Sequence, residues 1–314
     1  MSGSFKPKSI RLALVGLGKI ARDQHLPAIA ATPGIELVAV ASRNGKADGL
    51  PNFPDIVPML ASDTPIDAVV MCQPPQARYV AARAALLAGK HVFLEKPPGA
   101  TLSEVEALIT LAKAQGVTLF ASWHSREAAA VAAAADWLTG TLIRSVQITW
   151  KEDVRVWHPG QTWIWQAGGF GVFDPGINAL SILTRILPEP VRLISASLQM
   201  PTNCAAPIAA TLSMETASGI PIAADFDFLQ TGPQSWDIKV ATSAGELLLA
   251  QGGNQLTIAG KTLPAMPERE YPTLYRRFVE LVQTGASDVD LAPLRLVADA
   301  FMGGKLVPTE PFTE

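Results

Sequence analysis

Gly16-Leu17-Gly18-Lys19-Ile20-Ala21 follows directly on a β-type run, residues 10–15, and opens a helical stretch, residues 21–31. A strand, a G-x-G-x-x-A turn and a helix in immediate succession leave little choice of fold. Gly16 permits the tight turn, Gly18 lets the backbone approach a pyrophosphate, and Ala21 lets the helix pack closely on the strand, with the helix N-terminus facing the anion. Pro27 has to kink or interrupt that helix. The pattern predicts a bound dinucleotide, with Gly16, Gly18, Lys19 and Ile20 around its phosphates.

The alternation continues. Residues 35–42, 67–72, 91–94 and 117–121 are short apolar strands, and residues 54–62, 76–88 and 101–115 are helices between them. Gly89 and Gly116 stop the second and third of these helices. Thr101 or Ser103 opens the last, and Ser103-Glu104-Val105-Glu106 matches a capping box. Strand–helix alternation of this kind gives a parallel sheet covered on both faces. The second strand ends in Ser42-Arg43-Asn44, without the acidic residue that usually binds a ribose 2′-hydroxyl. Ser42 can donate to a 2′-phosphate and Arg43 can offer it a planar fork, so NADP is the expected cofactor, with NAD tolerated. Gln73 and Pro74, closing the third strand, and Glu95 and Lys96, closing the fourth, complete the cofactor group. A structural ion pair is the expected use of the Glu95 carboxylate. Lys96 stands at the carboxyl end of an inner strand, where ligands bind in open α/β sheets.

After Gly140 the pattern changes to long β-type runs, residues 142–151, 191–199, 208–216, 220–229, 235–242 and 246–250, several joined by short turns. Helices are expected at about 123–138, 175–187, 273–283 and 291–302. The expected architecture is an α/β Rossmann domain, residues 1–122, followed by an α+β domain with a large, mostly antiparallel open sheet, residues 123–314. Runs such as 208–214 read as apolar on both faces, which predicts a homodimer through the open sheet.

Composition narrows the function. The chain is 48% hydrophobic and 17% charged, with a net charge of −3. It is globular, and no basic field favours nucleic acid or an anionic membrane. No apolar run nears the roughly 18 residues of a membrane span. The polar residues 1–8 predict no leader peptide and a cytoplasmic protein. Cys72 and Cys204 lack metal spacing and read as free thiols, and no metal is expected from the four histidines.

Two stretches of the second half carry chemistry. Trp157, Trp163 and Trp165 lie close to Glu152 and His158, a combination suited to stacking on a sugar and binding its hydroxyls. Gly168-Gly169-Phe170-Gly171-Val172-Phe173-Asp174-Pro175-Gly176-Ile177-Asn178 opens a helix, with Asp174 and Asn178 on one face. Asp174 is placed as its N-cap, and the glycines are expected to let the backbone lie against a ligand.

With Gly16–Ala21, Glu95-Lys96-Pro97 and Gly168–Asn178 in view, the chain resembles the Gfo/Idh/MocA oxidoreductases along essentially its whole length. Asn178 stands where many members carry the histidine assigned as acid/base. That departure, with Trp-Lys-Glu-Asp-Val-Arg-x-Trp-His-Pro-Gly-Gln at 150–161 and Gly-Val-Phe-Asp-Pro-Gly-Ile-Asn-Ala-Leu-Ser-Ile at 171–182, is similar to bacterial L-arabinose and D-galactose 1-dehydrogenases. The resemblance implies oxidation of an aldose (L-arabinose, D-galactose or D-fucose) at C1 by NADP+. It implies Lys96 and Asp174 as catalytic residues, Asn178 orienting the sugar, and His124, Glu152, Trp157, His158 and Trp236 around it. Two other readings stand beside this one: a catalytically silent NADP-binding sensor, and a reductase of another small carbonyl or diol.

Overall fold

The computed structural model describes residues 9–264 and 267–313. The opening stretch, residues 1–8, on which the absence of a leader was read, lies outside them. The chain forms two compact units. One is built from the described residues up to Ser122 together with Tyr271–Asp290, and the other from those of 123–270 and 291–314.

In the first unit the strands are β1 (Ile10–Val15), β2 (Ile35–Ala41), β3 (Asn52–Phe53), β4 (Ala68–Met71), β5 (His91–Leu94) and β6 (Leu119–Ala121). They run parallel in the order β3-β2-β1-β4-β5-β6. The order reverses between β1 and β4, so the loops after these two strands flank the crevice where such sheets bind ligands. The helices are α1 (Leu26–Ala31), α2 (Ile56–Leu60), α3 (Pro75–Leu87) and α4 (Leu102–Gln115). Pro27 interrupts as expected: residues 21–25 form a π-helical turn and α1 restarts with the proline in its first turn. Thr101, not Ser103, is the N-cap of α4. Its Oγ1 accepts from Glu104 N, and Glu104 Oε2 accepts from Ala100 N, closing the box two residues earlier than Ser103–Glu106.

The second unit contains α5 (Val131–Leu138), β7 (Ile143–Lys151), α6 (Val154–Trp157), α7 (Phe173–Ile186), β8 (Val191–Pro201), β9 (Ala209–Thr216), β10 (Pro221–Asp227), β11 (Ser235–Thr242), β12 (Gly245–Ala250), β13 (Gln255–Ile258) and β14 (Lys261–Thr262). After α8 (Glu270–Thr284) come α9 (Ala292–Gly303) and β15 (Lys305–Thr309). Nine strands pair as β14-β13-β12-β11-β7-β10-β9-β8-β15. The β7–β10 and β8–β15 pairs are parallel and the rest antiparallel. One face buries Ile148, Leu212, Met214, Phe226, Ile238 and Leu249, and α7, buried along most of its length, is the central helix of the unit.

Two expectations need correction. The helix α8 does not belong with the second unit. The β1, β4, β5 and β6 faces bearing Leu12, Leu14, Val70, Phe93 and Phe120 need a cover, and α8 supplies Tyr271, Leu274, Tyr275, Phe278 and Leu281 at helical spacing. Phe93 stacks on Tyr275 at 5.0 Å and meets Phe278 edge-on at 5.5 Å. Each such ring removes about 150–250 Å² from water, on the order of 4 kcal/mol, enough to draw the helix back across the intervening domain. The open sheet face is also not apolar. Outward positions carry Arg144, Gln147, Thr211 and Ser213, and the pairs Lys151–Asp225 and Arg192–Glu215 cross it. In residues 209–216 apolar and polar side chains alternate, so that run is apolar on its inward face and not on both. No helix among the described residues is long and apolar enough to cross a membrane.

Candidate active site

In the first unit the turn after β1 is shaped by what a side chain would hit. Gly16 has φ +95°, and a Cβ there would meet Gln73 N at 2.8 Å. A Cβ on Gly18 would meet no protein atom within 4 Å, which leaves its backbone open to a pyrophosphate. Gly18, Lys19 and Ile20 are exposed, and Lys19 pairs with Asp23. Ser42 is half-buried and Arg43 exposed just past β2, where no carboxylate stands. These residues fit a dinucleotide.

Lys96 is half-buried, next to a cis peptide to Pro97. Its backbone is held by a residue that was not singled out in the sequence. Arg78, 2% exposed on α3, donates to the carbonyls of Glu95 and Pro97 on either side of Lys96, and to that of Gln73. A planar fork with several donors suits such a clamp. Glu95 turns inward rather than toward a cofactor. It is 3% exposed, accepts from Tyr271 Oη at 2.6 Å, and lies 3.4 Å from His25 Nε2. His25 Nδ1 in turn meets Tyr275 Oη at 2.7 Å. Burial alone would lower the His25 pKa, but the Cys72 sulfur and the Glu95 carboxylate outweigh it and raise it to about 9. A histidine raised above its unfolded value near 6.5 stabilises the fold fully below that pH and loses the contribution as pH rises toward about 9. Denaturant unfolding should therefore show stability falling across that window in the wild type and a flatter profile in His25→Gln. Equal slopes in the two proteins would remove the His25–Glu95 pair from the account.

In the second unit the residues expected around a substrate converge. Glu152 directly follows β7, and Asp153 caps the short α6 through Arg155 N. The single turn of α6 returns the chain so that His158 Nε2 lies 3.0 Å from Glu152 Oε1. Trp236, paired with Trp150 across β11 and β7, donates from Nε1 to Glu152 Oε2 at 2.8 Å. Trp157, 42% exposed, meets the Trp236 ring at 4.8 Å. Asp174 Oδ2 approaches His158 Nδ1 at 3.6 Å. Glu152 and Asp174 are 2% and 4% exposed.

Asp174 is not the N-cap of α7. That helix starts at Phe173 after Val172, so Asp174 sits in the first turn and Asn178 one turn on. The glycines before it serve the protein's own backbone. A Cβ on Gly169 would lie 2.4 Å from Trp163 O, and one on Gly171, with φ +51°, would lie 2.2 Å from Pro207 O. Trp165 packs against Phe228 and Phe312. His124 Nδ1 lies 2.5 Å from Glu270 Oε2. Gln161 Oε1, from the end of the 150–161 motif, lies 3.5 Å from His158 Nδ1, and the Phe228 ring beside His158 was missed in the sequence because it carries no motif. Among the described residues no group of His, Cys, Asp and Glu could hold a metal ion.

The profile of the oxidoreductase family with an NAD-binding Rossmann fold (GFO_IDH_MocA) matches residues 10–122. A galactose 1-dehydrogenase from Pseudomonas fluorescens is 47% identical over 303 residues, 96% of this chain and 98% of the relative. The crystal structure of a D-galactose-1-dehydrogenase from Rhizobium etli matches with a TM-score of 0.94 at 58% identity, over 98% of this chain and 99% of that one. KijD10, a 3-ketoreductase from Actinomadura kijaniata solved with NADP and TDP-benzene, shares the fold at 21% identity and a TM-score of 0.83, over 96% and 100% of the two chains. Near-complete coverage at 47% identity, with the family profile on the first unit, establishes that the chain belongs to the Gfo/Idh/MocA family of oxidoreductases.

Proposed function

We propose that the chain is an aldose 1-dehydrogenase that oxidises C1 of a pyranose such as D-galactose, L-arabinose or D-fucose to the aldonolactone. The observation that carries this is the buried Asp174 beside His158 and Glu152, next to an aromatic wall of Trp157 and Trp236. A base and a face for sugar C–H groups stand together. The similarity to two galactose 1-dehydrogenases along the whole chain supports it. NADP+, when bound, supplies the hydride acceptor.

The chain's residues do the rest. Asp174 takes the C1 hydroxyl proton. The family resemblance gives Lys96, through its charge, the role of favouring that loss of the proton. Asn178 cannot exchange protons near neutral pH and orients the sugar, and His124 offers a polar group to a further hydroxyl. L-Arabinose lacks the exocyclic CH2OH of D-galactose, a difference worth about 1–3 kcal/mol, so the site discriminates between them by no more than about 10–200-fold. A panel of aldoses with NADP+ and NAD+, followed by cofactor reduction, tests the proposal. Turnover of galacto-configured pyranoses is expected, and NADP binding with no aldose turned over would leave a silent sensor.

NADP preference rests on Ser42 and Arg43 and on the missing carboxylate after β2. Arg43→Ala should raise KM for NADP by about tenfold, one lost charge-assisted contact, while leaving KM for NAD nearly unchanged. Equal losses for both cofactors would assign Arg43 to the shared part of the dinucleotide.

A further inference from the structure

Past β15 the chain runs beside the turn that joins β8 to β9, and Phe312 is fixed there at both of its backbone groups. Asn203 Oδ1 accepts from Phe312 N at 2.9 Å, and Asn203 Nδ2 donates to Phe312 O at 2.7 Å. The pair sets the amide's orientation, because a backbone N–H only donates and a carbonyl only accepts. So held, the half-buried Phe312 ring lies 5.1 Å from the Trp165 ring. Trp165 belongs to the loop between α6 and α7, whose backbone is tied to the same β8–β9 turn. Ala205 N donates to Trp165 O and Val172 N to Pro207 O, both at 2.8 Å. On another side the Trp165 ring meets Phe228 at 5.7 Å. Phe228 is fully buried, donates to Ile208 O and accepts from Val154 N, each at 3.0 Å, and its ring meets that of His158 at 5.4 Å. Phe312, Trp165, Phe228 and His158 therefore touch in series.

We propose that Phe312 is a positioning residue of the sugar site, holding His158 in place through Trp165 and Phe228, with Asn203 as its anchor. This rests on the aldose dehydrogenase reading, in which His158 stands against the sugar. Edge-on and tilted ring pairs have preferred geometries, so each ring restricts the tilt of its neighbour. Removing the Phe312 ring uncovers one side of Trp165 and widens the range of orientations open to it and, through Phe228, to His158. A site whose side chains the substrate has to order binds that substrate more weakly. The loss falls on the sugar alone, because the residues expected around NADP all belong to the first unit and this series to the second. A contact ordered equally for the bound sugar and for the transition state shows in KM and hardly in kcat.

The test compares sugar and NADP kinetics in wild type, Phe312→Ala, Asn203→Ala, the double variant and Phe312→Leu. Phe312→Ala should raise sugar KM by about tenfold, the effect of two ring side chains that the sugar must order, with kcat and NADP KM within about twofold of wild type. Asn203→Ala should raise sugar KM by about threefold, and the double variant should lose no more than Phe312→Ala, since both residues act through one contact. Phe312→Leu keeps apolar bulk against Trp165 and should recover most of the sugar affinity, which separates positioning from a general loss of folded protein. Wild-type sugar KM in Phe312→Ala, a loss confined to kcat, equal losses for sugar and NADP, or multiplied losses in the double variant would overturn the assignment. An inactive wild-type protein removes the dehydrogenase reading and the role of Phe312 together, whereas an active wild type with an unaffected Phe312→Ala removes the role of Phe312 alone.

Discussion

Asp174→Asn lowers kcat by about 10²–10⁴-fold, on the order of 3–5 kcal/mol of transition-state stabilisation, and leaves NADP binding intact. Asparagine fills the same volume at the buried start of α7 and keeps a hydrogen-bonding side chain, so the substitution removes proton acceptance and little else. In water a hydroxyl proton has many acceptors. At a site where Asp174 is 4% exposed it has few, so in the proposed reaction the step falls to the carboxylate. Sugar KM should change little, because an amide still bonds a hydroxyl. A variant with near-wild-type kcat would move the base elsewhere, and His158 would be the first group to examine. A loss appearing only in KM would make Asp174 a sugar ligand.

Lys96→Met should cost about 10²–10³-fold in kcat, the usual scale for removing one preorganised donor from a developing oxyanion. Methionine keeps most of the length and the apolar stem and deletes the charge. The backbone of Lys96 is set by Arg78 through the carbonyls of Glu95 and Pro97, and by the buried Glu95 side chain on Tyr271. None of these contacts uses the ammonium group, so the variant should fold and bind NADP almost normally. Measuring NADP affinity beside kcat separates the outcomes. Loss of kcat at constant affinity supports a role in chemistry, and parallel loss of both would place Lys96 among the cofactor ligands.

What the sequence could say depended on whether a pattern was local. The strand–Gly16-x-Gly18–helix unit, the helix stopped at Gly116 and the strand ending at Lys96 all rest on residues within one turn or one strand of each other, and the fold has them. The stripe from Tyr271 to Leu281 is just as regular, but periodicity says that a helix has an apolar face and not which sheet it covers. Glu95 was expected in a structural ion pair, but its partners, Tyr271 and His25, are far away in sequence and no local pattern names them. Gly169 and Gly171 looked like a ligand cradle. The close approach they permit is real, but it is to the carbonyls of Trp163 and Pro207, which no local pattern announces. Trp236 came from family resemblance. Its bond to Glu152 follows from strand pairing, which places it opposite Trp150.

The central claim is that hydride leaves C1 of the sugar, and labelling tests it most directly. With D-galactose carrying deuterium at C1 and NADP+ in excess, the account predicts deuterium in the reduced nicotinamide, D-galactonolactone as the first product, and slower turnover than with unlabelled sugar when hydride transfer limits the rate. Reduced cofactor free of deuterium, with the label retained in an oxidised sugar, would place the reaction at another carbon and contradict the assignment.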